Sequence, residues 1–256
     1  MTNSSSRKRI IQPFATGEDE TSDLVMSEGE PAEAAGAIPD IVIRRLPIYA
    51  RSLQYLVHDG LETVSSSELG TRLGVSAAQI RRDLSYFGEF GKQGKGYNVS
   101  YLLDQINSIL GLNHDWSMAL VGLGHLGRAL LHYDELAERG FCIRALFDHN
   151  PAKVGTQIGD LTIRPLEDLP QVLARENIRM AIIAVPARGA QEVADALVDA
   201  GVRAILNYAP IVVQVPARVK IRHIDAVVAL QSMTYYLENE TPPVRQASGA
   251  GGGGEE

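Results

Sequence analysis

The hexapeptide from Gly122 to Gly127 limits what this chain can fold into more than any other segment. An apolar run over residues 117–121 predicts a buried strand just before it, and apolar residues at helical spacing predict a helix over 128–139. A second apolar run, residues 141–147, predicts another strand that ends at Asp148. A strand, three closely spaced glycines, a helix, a strand and an acidic residue form the pattern of a dinucleotide-binding βαβ unit.

Each position in this unit has a physical reason. Gly122 permits a tight turn, Gly124 lets a pyrophosphate approach the backbone, and Gly127 lets the helix pack closely on the strand. The start of the helix offers free N–H groups to phosphates. We expect Asp148 to accept hydrogen bonds from the adenosine ribose hydroxyls and to repel a 2′-phosphate, which favours NAD(H) over NADP(H).

Alternating strands and helices continue towards the C-terminus. Residues 179–185, 202–206 and 219–224 read as strands, and residues 189–200 read as a helix. This alternation predicts an α/β fold with a doubly wound parallel sheet, in which ligands bind beyond the carboxyl ends of the strands. The predicted cofactor-binding residues are therefore Gly122, Leu123, Gly124, His125, Leu126, Gly127, Asp148, Val185, Pro186 and Asn207.

The region before this unit has the pattern of a winged helix-turn-helix. A first helix begins near Pro39, a second opens with a capping-box pattern at Ser65, and a third opens at Ser76 after the Gly74 turn. Residues 88–99 then read as strand, glycine- and lysine-rich turn, and strand. A helix pair of this kind also occurs in proteins that bind no DNA, but the basic wing favours DNA binding. The residues predicted to contact DNA are Ser76, Gln79, Arg81, Arg82, Lys92, Lys95 and Tyr97.

The formal charge of −7 at first opposes a nucleic-acid partner. Residues 1–37 carry a net charge of −4 and residues 238–256 a net charge of −3, so the part between them is neutral. DNA affinity must then come from a few placed cations, with strong salt dependence. One cysteine, Cys142, and no run of about 18 apolar residues argue against a disulfide framework and a membrane span, and a cytoplasmic location is expected.

The chain is thus expected to divide into five parts. These are a disordered acidic tail (1–37), a winged-helix DNA-binding domain (38–105), an NAD(H)-binding Rossmann domain (106–225), a C-terminal dimerisation helix (226–237) and a second disordered tail (238–256). The helix over 226–237 is apolar nearly all round, so it must be buried in its own core or in a partner's. A homodimer interface is favoured, because helix-turn-helix proteins commonly bind DNA as two-fold dimers.

Two other functions remain open at this point. One is an NAD-dependent oxidoreductase with an accessory helical domain, and the other is a CoA- or nucleotide-binding structural subunit. The sequence favours a protein that is not an enzyme, because no segment is left to form a substrate domain and no catalytic or metal-ligating cluster stands out. His125, His149 and His223 are interpreted as cofactor-contacting or structural residues.

Residues 38–237 resemble the Rex family of redox-sensing transcriptional repressors. The resemblance lies in five runs, which are residues 45–49 (RLPIY), 79–88 (QIRRDLSYFG), 94–97 (GKGY), 122–127 (GLGHLG) and 205–210 (ILNYAP). It implies a homodimer that binds palindromic operator DNA of respiratory and fermentation genes and releases it when NADH rises relative to NAD+. It also implies a C-terminal helix exchanged between subunits and an interdomain relay of Arg51, Tyr133 and Asp225. Ala226 and Gln93 depart from the family pattern.

Overall fold

The computed structural model describes residues 38–92 and 95–239. The side chain of Lys92, the residue Gln93 and nearly all of the two predicted tails lie outside the described residues. The described part contains three clusters of buried apolar residues, one in the N-terminal region and one on each face of a large sheet. This arrangement agrees with a helical module followed by a doubly wound α/β domain.

The N-terminal region is a winged helix-turn-helix, as predicted. Its helices are α1 (Asp40–His58), α2 (Ser66–Leu73), α3 (Ala77–Ser85) and α4 (Val99–Leu110), and its strands are β1 (Thr63–Val64), β2 (Gly91–Lys92) and β3 (Gly96–Asn98). The strands form a small antiparallel sheet in the order β1-β3-β2. The helix-turn-helix is α2 and α3, and the wing is β2 and β3.

Local signals in the sequence set the ends of α2 and α3. The Ser65 hydroxyl accepts from the Glu68 amide while the Glu68 carboxylate accepts from the Ser65 amide, which completes the predicted capping box. Gly74 ends α2 with a φ of 68°, and the Ser76 hydroxyl caps α3. Pro47 lies inside α1, which is one continuous helix through that residue.

Helix α4 and strand β1 were not predicted from the sequence. Leu102 and Ile106 of α4 are fully buried in the same cluster as Leu46 and Leu53 of α1. The helix ends at Gly111, whose φ is 68°. The domain boundary expected at residue 105 therefore falls inside a helix that packs with the N-terminal region.

A buried carboxylate, Asp83, joins α1 to α3. Arg45 binds it with two hydrogen bonds, Nε to Oδ2 at 2.6 Å and Nη2 to Oδ1 at 2.9 Å. The Tyr49 hydroxyl donates to Oδ2 at 2.7 Å, and the Gln79 amide nitrogen donates to Oδ1 at 2.7 Å. Asp83 is 0% exposed, so these four bonds offset the cost of removing its charge from water.

The C-terminal region contains seven strands, which are β4 (Trp116–Val121), β5 (Phe141–Phe147), β6 (Gln157–Ile158), β7 (Leu161–Arg164), β8 (Met180–Ile183), β9 (Ala204–Asn207) and β10 (Lys220–His223). Its helices are α5 (His125–Leu131), α6 (Asp134–Glu138), α7 (Leu169–Arg175), α8 (Ala187–Asp199) and α9 (Ala226–Glu238), with a 3₁₀ turn at Leu166–Asp168. The strand order is β10-β9-β8-β4-β5-β7-β6, and every pairing except β6 with β7 is parallel.

Both faces of this sheet are covered, as a doubly wound fold requires. Alternate residues of β4 point to opposite faces. Ala119 and Val121 belong to the cluster that includes α7 and α8, whereas Met118 and Leu120 belong to the cluster against which α5 and α6 pack. The chain leaves β4 towards β5 and later returns to β8 on the other side, so β4 marks the point where the strand order reverses.

The single helix predicted over residues 128–139 was wrong. Two helices occupy this segment, and Tyr133 lies between them with φ −87° and ψ 89°. The His132 ring nitrogen Nδ1 lies 2.7 Å from the Arg128 carbonyl oxygen at the end of α5, and α6 then begins with Asp134 and Glu135. Acidic residues favour a new helix start, because they interact well with its free N–H groups.

Helix α9 matches the predicted C-terminal helix within one residue, but it buries no side chain. Seven large apolar residues of α9 are more than half exposed, namely Val227, Val228, Leu230, Met233, Tyr235, Tyr236 and Leu237. Among the residues that the structure describes, no helix has the length and apolar character needed to cross a membrane.

The Asp83 cluster predicts how stability depends on pH. Burial raises the pKa of Asp83, but the hydrogen bonds from Arg45, Tyr49 and Gln79 lower it by more than burial raises it. The pKa of Asp83 therefore lies below its ordinary value. A carboxylate with a depressed pKa contributes stability above the unfolded-state pKa of about 3.9, and this contribution is lost as pH falls through the folded-state pKa.

We therefore expect the free energy of unfolding, measured by urea titration, to fall below about pH 4 more steeply in the wild type than in Asp83→Asn. Tyr49→Phe is the control, because it keeps the carboxylate and its Arg45 partner and should retain the steep fall. Identical pH profiles for the wild type and Asp83→Asn would contradict this account.

Candidate functional site

The glycine turn after β4 lies at the reversal point of the strand order. The Gly122 amide donates to the Phe147 carbonyl at 2.8 Å, and the Ala184 amide donates to the Val121 carbonyl at 2.8 Å. These bonds attach the turn to the strands on both sides of β4. The turn is therefore held at the carboxyl edge of the sheet, where doubly wound folds bind nucleotides.

The three glycines of the turn differ in the space around them. Gly122 has a φ of +98°, and a Cβ there would lie 2.5 Å from the Ala184 carbonyl oxygen. A Cβ on Gly127 would collide with the Gly122 carbonyl. In contrast, a Cβ on Gly124 would meet nothing within 4 Å, and Gly124, His125 and Leu126 are all exposed. Gly122 and Gly127 thus allow close packing, while Gly124 faces open space.

Asp148 is ionised and anchored at the end of β5. Its Oδ2 accepts from the Leu123 amide at 2.8 Å, and its Oδ1 accepts from the Asn150 amide at 2.9 Å. Burial raises the pKa of Asp148, but its hydrogen bonds with Lys153, Asn150 and Leu123 outweigh this effect and lower the pKa below its ordinary value. The carboxylate therefore ties the glycine turn to β5 and places negative charge where the ribose was predicted.

Sequence reasoning missed Lys153, which lies next to this acid. Its Nζ atom is 2.8 Å from Asp148 Oδ2, and its side chain is 31% exposed. No arginine follows Asp148, but this lysine places a positive charge beside the predicted ribose position. The sequence signal that could have indicated this contact is the position of Lys153 five residues after Asp148. The short turn over residues 151–155 returns the chain towards that carboxylate.

Val185, predicted to lie near the cofactor, is beside the glycine turn, and Pro186 follows it. A Cβ on Gly122 would lie 2.8 Å from Val185 Cγ1, and Pro186 precedes the first residue of α8 at the surface. The backbone around Gly122, the open side of Gly124 and the acid after β5 together fit a dinucleotide.

Asn207 ends β9 at the same edge, but its side chain is fully buried and already bonded. Its Nδ2 atom donates to the carbonyls of Ala209 and Ile211 at 3.1 and 3.0 Å, and lies 3.0 Å from His223 Nδ1. Its Oδ1 accepts from the Ala209 amide at 3.0 Å. The side chain shapes the loop over 207–211, so a ligand would meet this loop rather than the Asn207 amide.

The predicted DNA-contacting residues of α3 lie around its first two turns. Arg81 and Arg82 are exposed, and Arg81 Nη1 donates to the Ser66 hydroxyl of α2 at 2.9 Å. The Ser76 hydroxyl caps the helix, and Gln79 is half-buried because its amide bonds to Asp83. The first two turns of α3 therefore present two exposed arginines and one amide whose orientation is set by Asp83.

The wing carries Lys92, Lys95 and Tyr97. Lys92 pairs with Gly96, and Lys95 is exposed at the turn between β2 and β3. Tyr97 is half-buried against the N-terminal core, and burial raises the pKa of its hydroxyl. Tyr97 thus fixes the wing to the helices.

The three predicted relay residues do not meet one another directly in this chain. Arg51 of α1 lies 3.6 Å from the Glu135 carboxylate, and the Tyr133 hydroxyl donates to the same carboxylate. Asp225 instead caps α9 by accepting from the amides of Val227 and Val228. Glu135, which sequence reasoning missed, therefore joins Arg51 to Tyr133 across the two regions.

A cleft of about 980 Å³ lies elsewhere, between α1 and the amino ends of β4 and β5. Ile48, Arg51, Trp116 and Phe141 are among its lining residues. It lies at the opposite edge of the sheet from Gly122, so it is not the nucleotide site. In the part of the chain that the structure describes, no group of three or more His, Cys, Asp or Glu side chains is placed to hold a metal ion.

Two families match separate parts of the chain. The family described as "CoA binding domain" matches residues 113–211, and that described as "Putative DNA-binding protein N-terminus" matches residues 37–85. The first range covers β4 to β9, and the second covers α1 to α3. The fold and these matches define a winged-helix regulator joined to a dinucleotide-type α/β domain.

Curated relatives and solved structures cover both regions together. The chain is 58% identical over 210 residues to the redox-sensing transcriptional repressor Rex of Roseiflexus sp. (strain RS-1), which covers 82% of this chain and 96% of that protein. It is 60% identical over 202 residues to the repressor of the same name from Chloroflexus aurantiacus (strain ATCC 29366 / DSM 635 / J-10-fl), with 79% and 95% covered. This chain therefore belongs to the Rex family, whose named members are transcriptional repressors rather than enzymes.

Crystal structures of RSP, a Rex-family repressor, have the same architecture. The complex of RSP with β-NAD+ and operator DNA is 38% identical, with a TM-score of 0.75 and coverage of 80% of this chain and 94% of that chain. The complex of RSP with β-NADH is 35% identical, with a TM-score of 0.70 and coverage of 82% and 97%. The winged helix and the doubly wound sheet thus occur in the same order in both proteins.

The contrast between Gly124 and Gly127 is testable. Gly124→Ala should leave the thermal midpoint within a few degrees of the wild type, because a Cβ there meets no atom, but it should weaken NADH binding because it narrows the approach to the turn. Gly127→Ala should destabilise the fold strongly, because its Cβ collides with a backbone carbonyl. Calorimetry and NADH fluorescence titration would measure both effects, and equal melting of the two variants would contradict the assigned roles.

Proposed function

We propose that this chain is a redox-sensing transcriptional repressor that binds palindromic operator DNA as a homodimer and releases it when NADH rises relative to NAD+. The observation that carries the proposal is the presence of two separate surfaces on one chain. The α3 helix and the wing present Arg81, Arg82 and Lys95 outward, while the glycine turn presents the open side of Gly124. The complexes of RSP with NAD+ and operator DNA and with NADH support this assignment.

The residues of the α/β domain have distinct parts in holding NAD(H). The backbone of Leu123 to Leu126 would hold the pyrophosphate, Asp148 would accept from the adenosine ribose, and the loop that Asn207 shapes would border the nicotinamide end. Lys153 keeps Asp148 ionised and in place. NAD+ carries a positive charge on the nicotinamide ring that NADH lacks, and this charge is the signal that the chain must distinguish.

The response to that charge requires two arrangements of the protein with unequal cofactor affinity. We infer that Arg51, Tyr133 and Asp225 exchange partners between these arrangements. The shared contact of Arg51 and Tyr133 with Glu135 supports a switch at this point, because α1 joins the relay to the DNA-reading helix through Asp83. Shifting the population from 1:99 to 99:1 takes about a 10⁴-fold preference, so a modest NADH preference would give partial release.

Helix α9 is the proposed dimerisation element. Its exposed apolar side chains need a cover that residues 38–92 and 95–239 do not supply. Helix α1 also exposes an apolar stripe, formed by Ile41, Ile48 and Tyr55 at seven-residue spacing. Two complementary apolar helical faces on one chain are what a symmetric exchange between two copies requires, since each copy supplies both faces.

The two other functions are less well supported. An oxidoreductase needs a substrate pocket next to the nicotinamide end, and the described cleft of about 980 Å³ lies at the opposite edge of the sheet. A CoA-binding subunit agrees with the name of the matched family but leaves α3 and the basic wing unexplained. A transcriptional repressor must reach chromosomal DNA, and we therefore propose a cytoplasmic location.

A gel shift with a selected palindromic duplex tests the proposal. The full chain should retard the duplex with NAD+ and release it as NADH is titrated. Gly124→Ala should keep the shift and lose the release, and Arg82→Ala should weaken binding at every NADH level because it removes a contact with the DNA. No shift at low salt, with NADH still bound, would refute the repressor assignment, and steady NADH oxidation with a carbonyl substrate would favour the enzyme.

The role of α9 predicts the effect of two truncations. A chain ending at Asp225 lacks α9 and should be monomeric by analytical ultracentrifugation, with operator affinity at least 10-fold lower, because each half-site is then bound alone. A chain ending at Asn239 keeps α9 and loses only the tail, and it should remain a dimer. Dimerisation of the shorter chain would show that another surface joins the subunits.

A further inference from the structure

The buried Asp83 carboxylate controls which atoms Gln79 presents to solvent. A carboxylate only accepts hydrogen bonds. Arg45, Tyr49 and Gln79 supply two bonds to each oxygen of Asp83, and this fills its accepting capacity. The Gln79 amide must therefore point its NH₂ group inward, because its carbonyl oxygen would face a fixed negative charge.

The opposite end of the Gln79 amide reaches solvent. Within the described residues, every fully buried side-chain oxygen or nitrogen has a hydrogen-bond partner. Gln79 is half-buried, and its only side-chain hydrogen bond there is the one from Nε2 to Asp83. Its Oε1 atom is therefore accessible and free to accept.

The position of Gln79 on α3 makes this orientation relevant to DNA. Gln79 is the third residue of the helix, its backbone amide donates to the Ser76 hydroxyl at 3.1 Å, and the small residues Ala77 and Ala78 precede it. Residues at the N-terminal end of a recognition helix meet base edges in the major groove. An accepting oxygen next to one remaining N–H matches the N6 amine and the N7 atom of adenine.

We propose that Asp83 is a positioning residue for sequence recognition, which holds the Gln79 amide so that Oε1 accepts from the N6 amine of an adenine in each operator half-site. This inference rests on the proposed DNA-binding function. It assigns Asp83 a role beyond packing, because a neutral amide at residue 83 would both donate and accept and would allow Gln79 to turn over. Arg45 and Tyr49 hold the carboxylate from α1, so the orientation of the reading amide depends on the placement of that helix.

The first test changes the DNA and keeps the wild-type chain. An operator is selected with the full chain from a random duplex pool, and each adenine is then replaced by purine, which lacks the N6 amine. At one adenine per half-site, wild-type affinity should fall about 5-fold or more, the lower end of the range for a bidentate base contact, because purine keeps N7 but leaves the Gln79 Oε1 atom without a donor. Gln79→Ala should show no further loss there. If no adenine shows a loss that depends on Gln79, the inference is overturned.

The second test changes residue 83. Asp83→Asn should reduce discrimination against purine at that adenine at least 5-fold, while its affinity for a duplex of unrelated sequence stays within 2-fold of the wild type. Ser65→Ala is the matched control, because it removes a helix cap in the same module without touching Gln79 and should keep full discrimination. Undiminished discrimination by Asp83→Asn would overturn the positioning role.

These outcomes separate two kinds of failure. If no operator can be selected at all, the proposed repressor function fails. If an operator is selected and released by NADH but shows no adenine read through Gln79, only the present inference fails. Should Asp83→Asn not fold, which circular dichroism would show, the purine substitutions with the wild-type chain still decide whether Oε1 is the reading atom.

Discussion

The close approach of Gly127 to the Gly122 carbonyl is the constraint on which the α/β domain depends. No side chain fits between these residues, so α5 can lie directly against the end of β4. Gly122 is bonded to Phe147 of β5, and Ala184 beyond β8 is bonded to Val121. The turn is therefore placed by backbone atoms from three adjacent strands. This placement leaves Gly124 exposed at the reversal point of the strand order, with Asp148 beside it.

Helix α1 connects this domain to the DNA-reading helix. At its start, Asp40 lies 2.6 Å from Arg222 of β10, and in its second half Arg51 lies near Glu135. Between these contacts, Arg45 and Tyr49 hold Asp83 of α3. Because the same helix contacts both regions, the proposed redox switch would act on α3 through α1.

Local sequence signals predicted most elements but missed those defined by distant contacts. The strand over 141–147 and the caps at Ser65 and Ser76 were predicted correctly, since apolar runs and capping residues act locally. Helix α4 was missed because its apolar face packs against α1, which lies about 50 residues earlier. The break at Tyr133 was missed because apolar spacing continues across it. The contact of Lys153 with Asp148 depends on a turn, and the contact of Glu135 with Arg51 depends on packing between the two regions, so neither was predicted from the sequence.

The sequence by itself determined the order of the two regions, the glycine turn, the acid after β5 and the cations of α3, because these features depend on neighbours a few residues away. Tertiary structure decided which of these groups remain free. Within the part of the chain that the structure describes, the fold bonds the Asn207 amide to its own loop, turns the Gln79 amide towards Asp83, and leaves the apolar side chains of α9 exposed. The physical reason is that the availability of a polar or apolar group depends on what the rest of the fold brings against it.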